Sequence, residues 1–322
     1  MAFYVSVDAG GSKCSAILFG DDFKLLGAGL SGGVNRSQGA TAEHARKNVA
    51  ECLENLFAGF RPERVETCYG VFVGDDNILK SELKKFTDVK KYIRLGEIEA
   101  GLRAGALLGE GILALSGTGS NIGYIGENPP RRESVGGWGP ILGDQGSGAW
   151  IGQKALQAAV AAHEGWGEPT VLLELIKKAW NLENDWYMVN EVYQSEAPFR
   201  KAASVAPIAG EAAGLGDKVS LKILREAGGF MATQVKTLVK KIGAAENYPP
   251  VICCGGAWKT HASMFGVFCG ELEESLPGIE IHKPWFEHVV AGAAFEISKR
   301  GINREEGRNM LSAGFGGYII NW

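Results

Sequence analysis

Short stretches that are apolar, or that alternate between apolar and polar positions, recur through the first hundred residues, a pattern typical of β-strands. These stretches occupy 3–7, 14–19, 24–30, 69–73 and 92–95. Between the third and fourth stretch the apolar positions recur at helical intervals, which predicts an amphipathic helix that begins near Thr41. The predicted order β-β-β-α-β-α-β indicates an α/β domain with a mixed sheet.

Part of this pattern recurs later in the chain. Strands predicted at 112–115 and 122–125 flank a glycine-rich turn, as the first two strands do, so we expect two related halves. Helical periodicity follows over 147–163 and 217–242. A buried strand is predicted at 251–254, followed by a strand near 279–282 and a helix near 289–297. We expect domains at 1–115 and 116–300, and a tail at 301–322 that packs back on the first domain.

Composition excludes several classes of protein. The net charge is −4, so no basic field attracts nucleic acid or anionic membrane. No apolar run reaches the roughly 18 residues of a membrane span. The N-terminus has no signal-peptide pattern, and the six cysteines have no metal-type spacing, which predicts free thiols and a cytoplasmic protein. The 46 glycines are about twice the usual share of roughly 7%.

The first candidate site is the turn after the first strand. Asp8 ends that strand, and Gly10, Gly11, Ser12 and Lys13 follow. Glycine lets backbone N–H groups approach phosphate oxygens, and an adjacent carboxylate suits Mg²⁺. The alternative is an ordinary β-hairpin turn.

The second candidate, residues 116–121, has the same character and includes Thr118, Gly119 and Asn121. Two such turns at the ends of equivalent strands could hold a polyphosphate from both sides. A third candidate is the pair Gly255 and Gly256 after the buried strand, where a flat base could lie against the backbone. A simple strand-end turn or helix C-cap is the alternative there.

The segment 136–152 is the densest in glycine, and it has two tryptophans and one acid, Asp144. So many glycines exclude a regular element, which predicts a shaped loop that enters a helix near Ser147. An apolar ring face beside a lone carboxylate suits a sugar. The alternative is a packed loop in which Asp144 caps the helix.

Five motifs together resemble those of a known family. They are DAGGSK at 8–13, VN at 34–35, SGTGSN at 116–121, GGWGPILGDQGSGAWIG at 136–152 and CCGGAWK at 253–259. In this order they resemble the N-acetylglucosamine kinase and BadF/BadG/BcrA/BcrD ATPase branch of the actin-like ATPase superfamily. The resemblance implies two ribonuclease H-like domains with mixed sheets flanked by helices, and an active site with ATP and Mg²⁺ in the interdomain cleft.

The resemblance also implies a reaction and roles for single residues. The reaction is in-line phosphorylation of the primary hydroxyl of an amino sugar, such as N-acetylglucosamine or glucosamine. Asp8 would hold Mg²⁺ through water. The implied nucleotide contacts are Gly10, Gly11, Ser12, Lys13, Thr118, Gly119, Asn121, Gly255 and Gly256, and the implied sugar contacts are Asn35, Gly137 and Asp144. Relatives are commonly homodimers, which predicts a homodimer here.

One position departs from the family pattern. Relatives have a catalytic aspartate after the strand that precedes the second turn, and here the segment contains only glutamates. Glu97 aligns with the aspartate and Glu99 is the fallback, although both could be charges on the first turn of a helix. A misplaced base can cost about 10²-fold in rate.

Two other functions are compatible with the family. The first is an ATPase that activates a partner enzyme. ATPases of this class use their own cysteines, near the second turn, to hold an iron–sulfur cluster. The absence of any cysteine between Cys68 and Cys253 counts against it. The second is a sugar-binding sensor of low activity, suggested by the missing aspartate.

Overall fold

A computed structural model describes residues 1–34, 41–72 and 75–321 of the chain. Its strands are β1 (Phe3–Ala9), β2 (Lys13–Gly20), β3 (Leu25–Gly32), β4 (Arg64–Phe72), β5 (Asp88–Leu95), β6 (Gly111–Ser116), β7 (Ser120–Glu127), β8 (Pro130–Gly136), β9 (Val251–Cys254) and β10 (Ile281–His282). Its helices are α1 (Ala42–Phe57), α2 (Asn77–Leu83), α3 (Glu97–Ala106), α4 (Gly148–His163), α5 (Leu172–Trp180), α6 (Tyr187–Tyr193), α7 (Pro198–Ala203), α8 (Ala206–Gly214), α9 (Lys218–Ile242), α10 (Ala262–Ser275), α11 (Ala291–Lys299) and α12 (Arg304–Gly314).

The two described sheets share one strand order. The first runs β3-β2-β1-β4-β5, and the second, read from its opposite edge, runs β8-β7-β6-β9-β10. In each sheet the first three strands pair antiparallel and the last two add in parallel. The predicted α/β class with two related, mixed sheets is therefore confirmed.

Strand β8 is absent from the sequence predictions. It pairs along its whole length with β7, yet most of its side chains are exposed or half-buried. An edge strand of this kind, rich in charged residues, lacks the alternation that identifies a half-buried strand. It became visible only through its backbone pairing.

The chain divides into two compact units. The first contains residues 1–110 and 283–322, and the second contains 111–282. The first sheet is covered on one face by α1 and on the other by α3, α11 and α12, with separate hydrophobic cores on the two faces. In the second unit α9 packs against β6, β7 and β8, with α4, α8 and α10 around it.

These divisions differ from the boundaries expected at 115 and 300. Strand β6 is the central strand of the second sheet, so the second unit begins at Gly111. Helix α11 packs on β1 and β4, so the residues after His282 return to the first unit earlier than the sequence pattern indicated. Periodicity identifies a helix but not the sheet that it covers.

No helix in the described part of the chain is long and apolar enough to cross a membrane.

Candidate active site

The turn between β1 and β2 is a tight hairpin at the predicted position. Strand pairing ends at Ala9 and Cys14, and the Gly10 N–H donates to the Lys13 carbonyl oxygen at 3.0 Å. The end of β3 closes over the turn, where the Val34 N–H donates to the Gly10 carbonyl oxygen at 2.9 Å. These bonds fix the backbone of a glycine turn whose outer residues, Ser12 and Lys13, are exposed.

Asp8 is half-buried one residue before the end of β1. Burial raises the pKa of its carboxyl group above the ordinary value, while His288 and Lys13 lower it and Glu287 raises it. The Lys13 ammonium and the Glu287 carboxylate form an ion pair. The first turn therefore has an acid, a cation and a second acid around it.

Sequence reasoning missed Glu287 and His288. They lie more than 270 residues along the chain from Lys13 and stand at the start of a short 3-10 turn, His288–Val290, that leads into α11. The His288 Nε2 atom is buried without a hydrogen-bond partner. Only the return of the C-terminal segment to the first unit brings these two side chains to Asp8.

The two candidate bases occupy the first turn of α3, directly after β5. Glu99 is half-buried and forms an ion pair with Arg103 at 3.2 Å. Glu97 is exposed at the first position of the helix. Because β1, β4 and β5 are parallel, their carboxyl ends lie at the same edge of the sheet. The ends of β1 and β5 are two strand spacings apart, about 10 Å, and Glu97 comes directly after the end of β5.

The second turn connects β6 to β7 and has three residues, Gly117, Thr118 and Gly119. The Gly117 N–H donates to the Gly119 carbonyl oxygen at 2.9 Å. The start of α4 packs on this turn, because the N–H groups of Gly148 and Ala149 donate to the carbonyl oxygens of Gly117 and Thr118 at 2.8 and 3.1 Å. The turn thus occupies the position in the second sheet that the Asp8–Lys13 turn has in the first.

Asp144 lies against the second turn. Its carboxylate accepts hydrogen bonds from the backbone N–H groups of Gly139, at 3.1 Å, and Ser120. Only 6% of the residue is exposed, and burial raises the pKa of its carboxyl group despite these bonds. Its φ of 60° is a left-handed conformation that costs a non-glycine residue about 1–3 kcal/mol.

The helix cap is not Asp144. The hydroxyl of Ser147 accepts the N–H of Trp150 at 3.1 Å and caps α4. The alternative interpretation of Asp144 as the capping residue is therefore wrong. A buried, strained acid without a capping role indicates a functional position.

Asn121 and Gly137 come together in the second unit. Asn121 pairs with Gly136 in the ladder between β7 and β8, so it lies on a strand and not in the turn itself. A Cβ atom on Gly137 would stand 3.1 Å from the Asn121 side-chain carbon. The structure thus places Asn121, predicted to contact phosphate, next to Gly137, predicted to contact sugar.

Gly255 and Gly256 follow β9 and differ sharply in their surroundings. Gly255 has a φ of 110°, and a Cβ atom there would stand 2.1 Å from the carbonyl oxygen of Ser116. A Cβ atom on Gly256 would meet nothing within 4 Å. Gly255 therefore packs against the second turn, and Gly256 is exposed beside it.

One predicted sugar contact, Asn35, lies outside the described residues. Among the described residues, no group of three or more His, Cys, Asp or Glu side chains could hold a metal ion. A metal at the first turn would therefore have at most two such side chains as ligands, Asp8 among them, with water and ligand oxygens completing its shell, which is the usual pattern for Mg²⁺.

Comparison with known proteins identifies relatives along nearly the whole chain. An N-acetylmuramic acid/N-acetylglucosamine kinase of Clostridium acetobutylicum is 29% identical over 290 residues, which is 87% of this chain and 94% of that protein. An N-acetyl-D-glucosamine kinase of Dictyostelium discoideum is 29% identical over 53% of this chain and 54% of its own length. The chain thus spans about half of the second relative.

A solved structure named as an N-acetylglucosamine kinase, from Chromobacterium violaceum, superposes with a TM-score of 0.68. The match covers 91% of this chain and 98% of that one at 21% identity. A ROK family glucokinase from Streptomyces griseus gives a TM-score of 0.59 over 92% of this chain and all of its own, at 15% identity. At these identities the two structures establish the fold.

Residues 5–294 match the model of one protein family along their length. This span contains both glycine turns and all of both sheets except the first two residues of β1. The chain therefore belongs to the BadF/BadG/BcrA/BcrD ATPase family.

Proposed function

We propose that this chain is an ATP-dependent kinase of an amino sugar of the N-acetylglucosamine or glucosamine type. The observation that carries the proposal is the repeated strand order. It places a glycine turn after the central strand of each sheet, β1 or β6, with a buried or half-buried acid beside the turn. The named activity of the Clostridium acetobutylicum relative, which matches over 87% of the chain, supports the class of substrate.

The two turns are proposed to bind the nucleotide. The first turn supplies Gly10, Gly11, Ser12 and Lys13 to the phosphates, and the second supplies Thr118 and Gly119. Gly255 and Gly256 are proposed to border the adenosine. A Cβ atom on Gly256 would meet nothing within 4 Å, so there is room for a ligand beside this residue. Asp8 would hold Mg²⁺ through water, and a bound Mg²⁺ would neutralise charge on the phosphates.

The acceptor is proposed to lie at Asp144 and Gly137, with Asn35 as a further contact. Asp144 can accept a hydrogen bond from a hydroxyl or amide group, and Gly137 is exposed and has no side chain to cover its backbone. Glu97 is proposed as the base that takes the proton of the primary hydroxyl. The terminal P–O bond of ATP then breaks as the new bond from the sugar oxygen to phosphorus forms.

The partner-activating ATPase finds no support in the sequence, because no cysteine lies between Cys68 and Cys253 to hold a cluster near the second turn. The homodimer and the cytoplasmic location stay predictions.

The test is ATP turnover by the purified full-length chain with Mg²⁺. N-acetylglucosamine, glucosamine, N-acetylmuramic acid and glucose are added singly, and ADP release and the phosphorylated sugar are measured. We expect an amino sugar to stimulate ADP release and to appear as its phosphate. ATP use that stays the same across the four sugars, with no phosphorylated product, would contradict the proposal.

A further inference from the structure

Two buried amide oxygens without a hydrogen-bond partner lie beside Gly136 and Gly137. They are Oδ1 of Asn121 and Oε1 of Gln234. A Cβ atom on Gly136 would stand 2.4 Å from the Gln234 oxygen, and one on Gly137 would stand 3.3 Å from the Asn121 oxygen. Both glycines have positive φ, 86° and 74°. The amides therefore fill space that only glycine leaves open.

The orientation of the Gln234 amide follows from its other contact. Its Nε2 donates to the carbonyl oxygen of Gln145 at 3.3 Å, and the Ser120 hydroxyl donates to the same oxygen at 3.1 Å. A carbonyl oxygen can only accept, and an amide oxygen facing it would be repelled, so the NH₂ group faces Gln145 and Oε1 faces Gly136. Gln234 thus joins α9 to both ends of the segment 136–145.

This arrangement is expensive for a purely structural contact. A buried acceptor without a donor costs about 1–3 kcal/mol, whereas an apolar side chain of similar shape avoids that cost. The weak bond to Gln145, near the upper limit of hydrogen-bond length, does not compensate for it. Unsatisfied buried groups of this kind often mark functional constraint.

We propose that Gln234 is a positioning residue for the acceptor sugar, an inference that rests on the proposed function. Its Oε1 is enclosed, so it acts through the backbone and not by direct contact. By holding Gln145 and filling the space at Gly136, Gln234 fixes the segment that carries Gly137 and Asp144. The proposed sugar contacts of the second unit therefore depend on a helix that is distant in sequence.

The test compares Gln234→Met and Gln234→Glu with Thr233→Ala, an exposed neighbour on the same helix. Gln234→Met removes both polar atoms, and we expect it to leave the melting temperature unchanged or raise it. We also expect it to raise KM for the amino sugar about tenfold, because the segment that carries Gly137 and Asp144 is no longer held in position, with KM for ATP unchanged. Gln234→Glu points an oxygen at the Gln145 carbonyl, so its effect on sugar KM should be larger.

Three results would overturn the inference. A lower melting temperature for Gln234→Met with unchanged sugar KM would make the residue structural. Equal increases in KM for sugar and ATP would remove the specific link to the acceptor, and variants indistinguishable from Thr233→Ala would remove any role. If the unmodified chain itself shows no sugar-dependent turnover and binds no amino sugar in calorimetric titration, the proposed function fails first, and the inference fails with it.

Discussion

Burial changes the acidity of two of the candidate site residues, Asp8 and Asp144. Both carboxyl groups have a pKa raised by burial, although positive charges lower it at Asp8 and backbone N–H groups lower it at Asp144. A carboxyl group with a raised pKa holds its proton more tightly in the folded protein than in the unfolded chain. Ionisation of either acid at neutral pH therefore lowers the free energy of unfolding. A function that needs the charged form would explain why an acid is present at these positions despite this cost.

The first prediction is that Asp8→Asn separates stability from activity. The neutral amide avoids the cost of burying a charge, so the melting temperature at pH 7 should rise. ATP turnover should fall by about 10²-fold or more, because the proposed metal partner is lost. Thermal unfolding and ADP release measure the two effects, with affinity for the amino sugar as a control that should not change.

The pH dependence of the unmodified chain checks the same residue. The proposed metal-binding form of Asp8 is ionised, so we expect turnover to fall as pH drops through its raised pKa, at a higher pH than an ordinary aspartate would give. The contribution of Asp8 to folding stability should change in the opposite direction over this range, because a group with a raised pKa in the fold stabilises the fold when it is protonated; the difference in stability between the unmodified chain and Asp8→Asn measures it. An acid limb at the ordinary aspartate value would contradict this assignment.

The second prediction separates the two glutamates of α3. Glu97→Gln should lower kcat by about 10²–10⁴-fold, the usual contribution of a general base, while sugar affinity is retained. Glu99→Gln removes the carboxylate that pairs with Arg103, and because both side chains are largely buried it should lower the unfolding free energy by about 1 kcal/mol or more while kcat stays near normal. The assignment of Glu97 fails if the two variants have the same kcat.

At the scale of the element, the end of β9 is held against the turn after β6. These two strands are adjacent and parallel in the second sheet, so their carboxyl ends meet. Gly255 is the point of closest approach, and its neighbour Gly256 is open. A pair of adjacent glycines therefore offers a matched comparison of structural and binding roles.

The third prediction follows from that pair. Gly255→Ala places a Cβ atom against backbone at a φ of 110°, so it should lower unfolding free energy by about 2 kcal/mol or more and also weaken ATP binding. Gly256→Ala should fold normally and change ATP affinity alone. Denaturant unfolding and nucleotide titration distinguish them. Equal stability of the two variants would contradict the packing argument.

At the scale of the whole molecule, the chain leaves the first unit, builds the second and returns. The return is secured by contacts of the buried acid Glu296, which meets the Tyr69 hydroxyl, Lys299 at 2.9 Å and Arg300 at 3.5 Å. Arg300 also donates to the Asp21 carbonyl oxygen at 2.7 Å. Glu296 thus joins α11 to the N-terminal sheet.

The fourth prediction concerns this network. Glu296→Ala removes an acid whose side chain is only 2% exposed, together with its hydrogen bond to the buried Tyr69 hydroxyl, which should cost about 1–3 kcal/mol of unfolding free energy. Lys299→Ala is the control, because the lysine side chain is 54% exposed and its loss should cost under about 1 kcal/mol. Denaturant unfolding measures both, and similar costs for the two would refute the role of Glu296.

Local pattern predicted most strands, the long helix α9 and both glycine turns, because each depends on neighbouring residues. It missed β8, whose polar edge position hides the alternation, and it placed 283–300 with the wrong sheet. It identified Asp144 as a candidate but not the Ser147 cap beside it. It could not find Glu287, His288 or Gln234, since each reaches its site from a distant element.

The sequence by itself determined the composition of each turn, the order of the elements and the family to which the chain belongs. Those properties depend on residues that are close together along the chain. The tertiary structure decided which acid is ion-paired, which glycine is packed and which amide oxygen lacks a donor. Burial and pairing arise only where distant segments meet, so no local pattern of residues contains them.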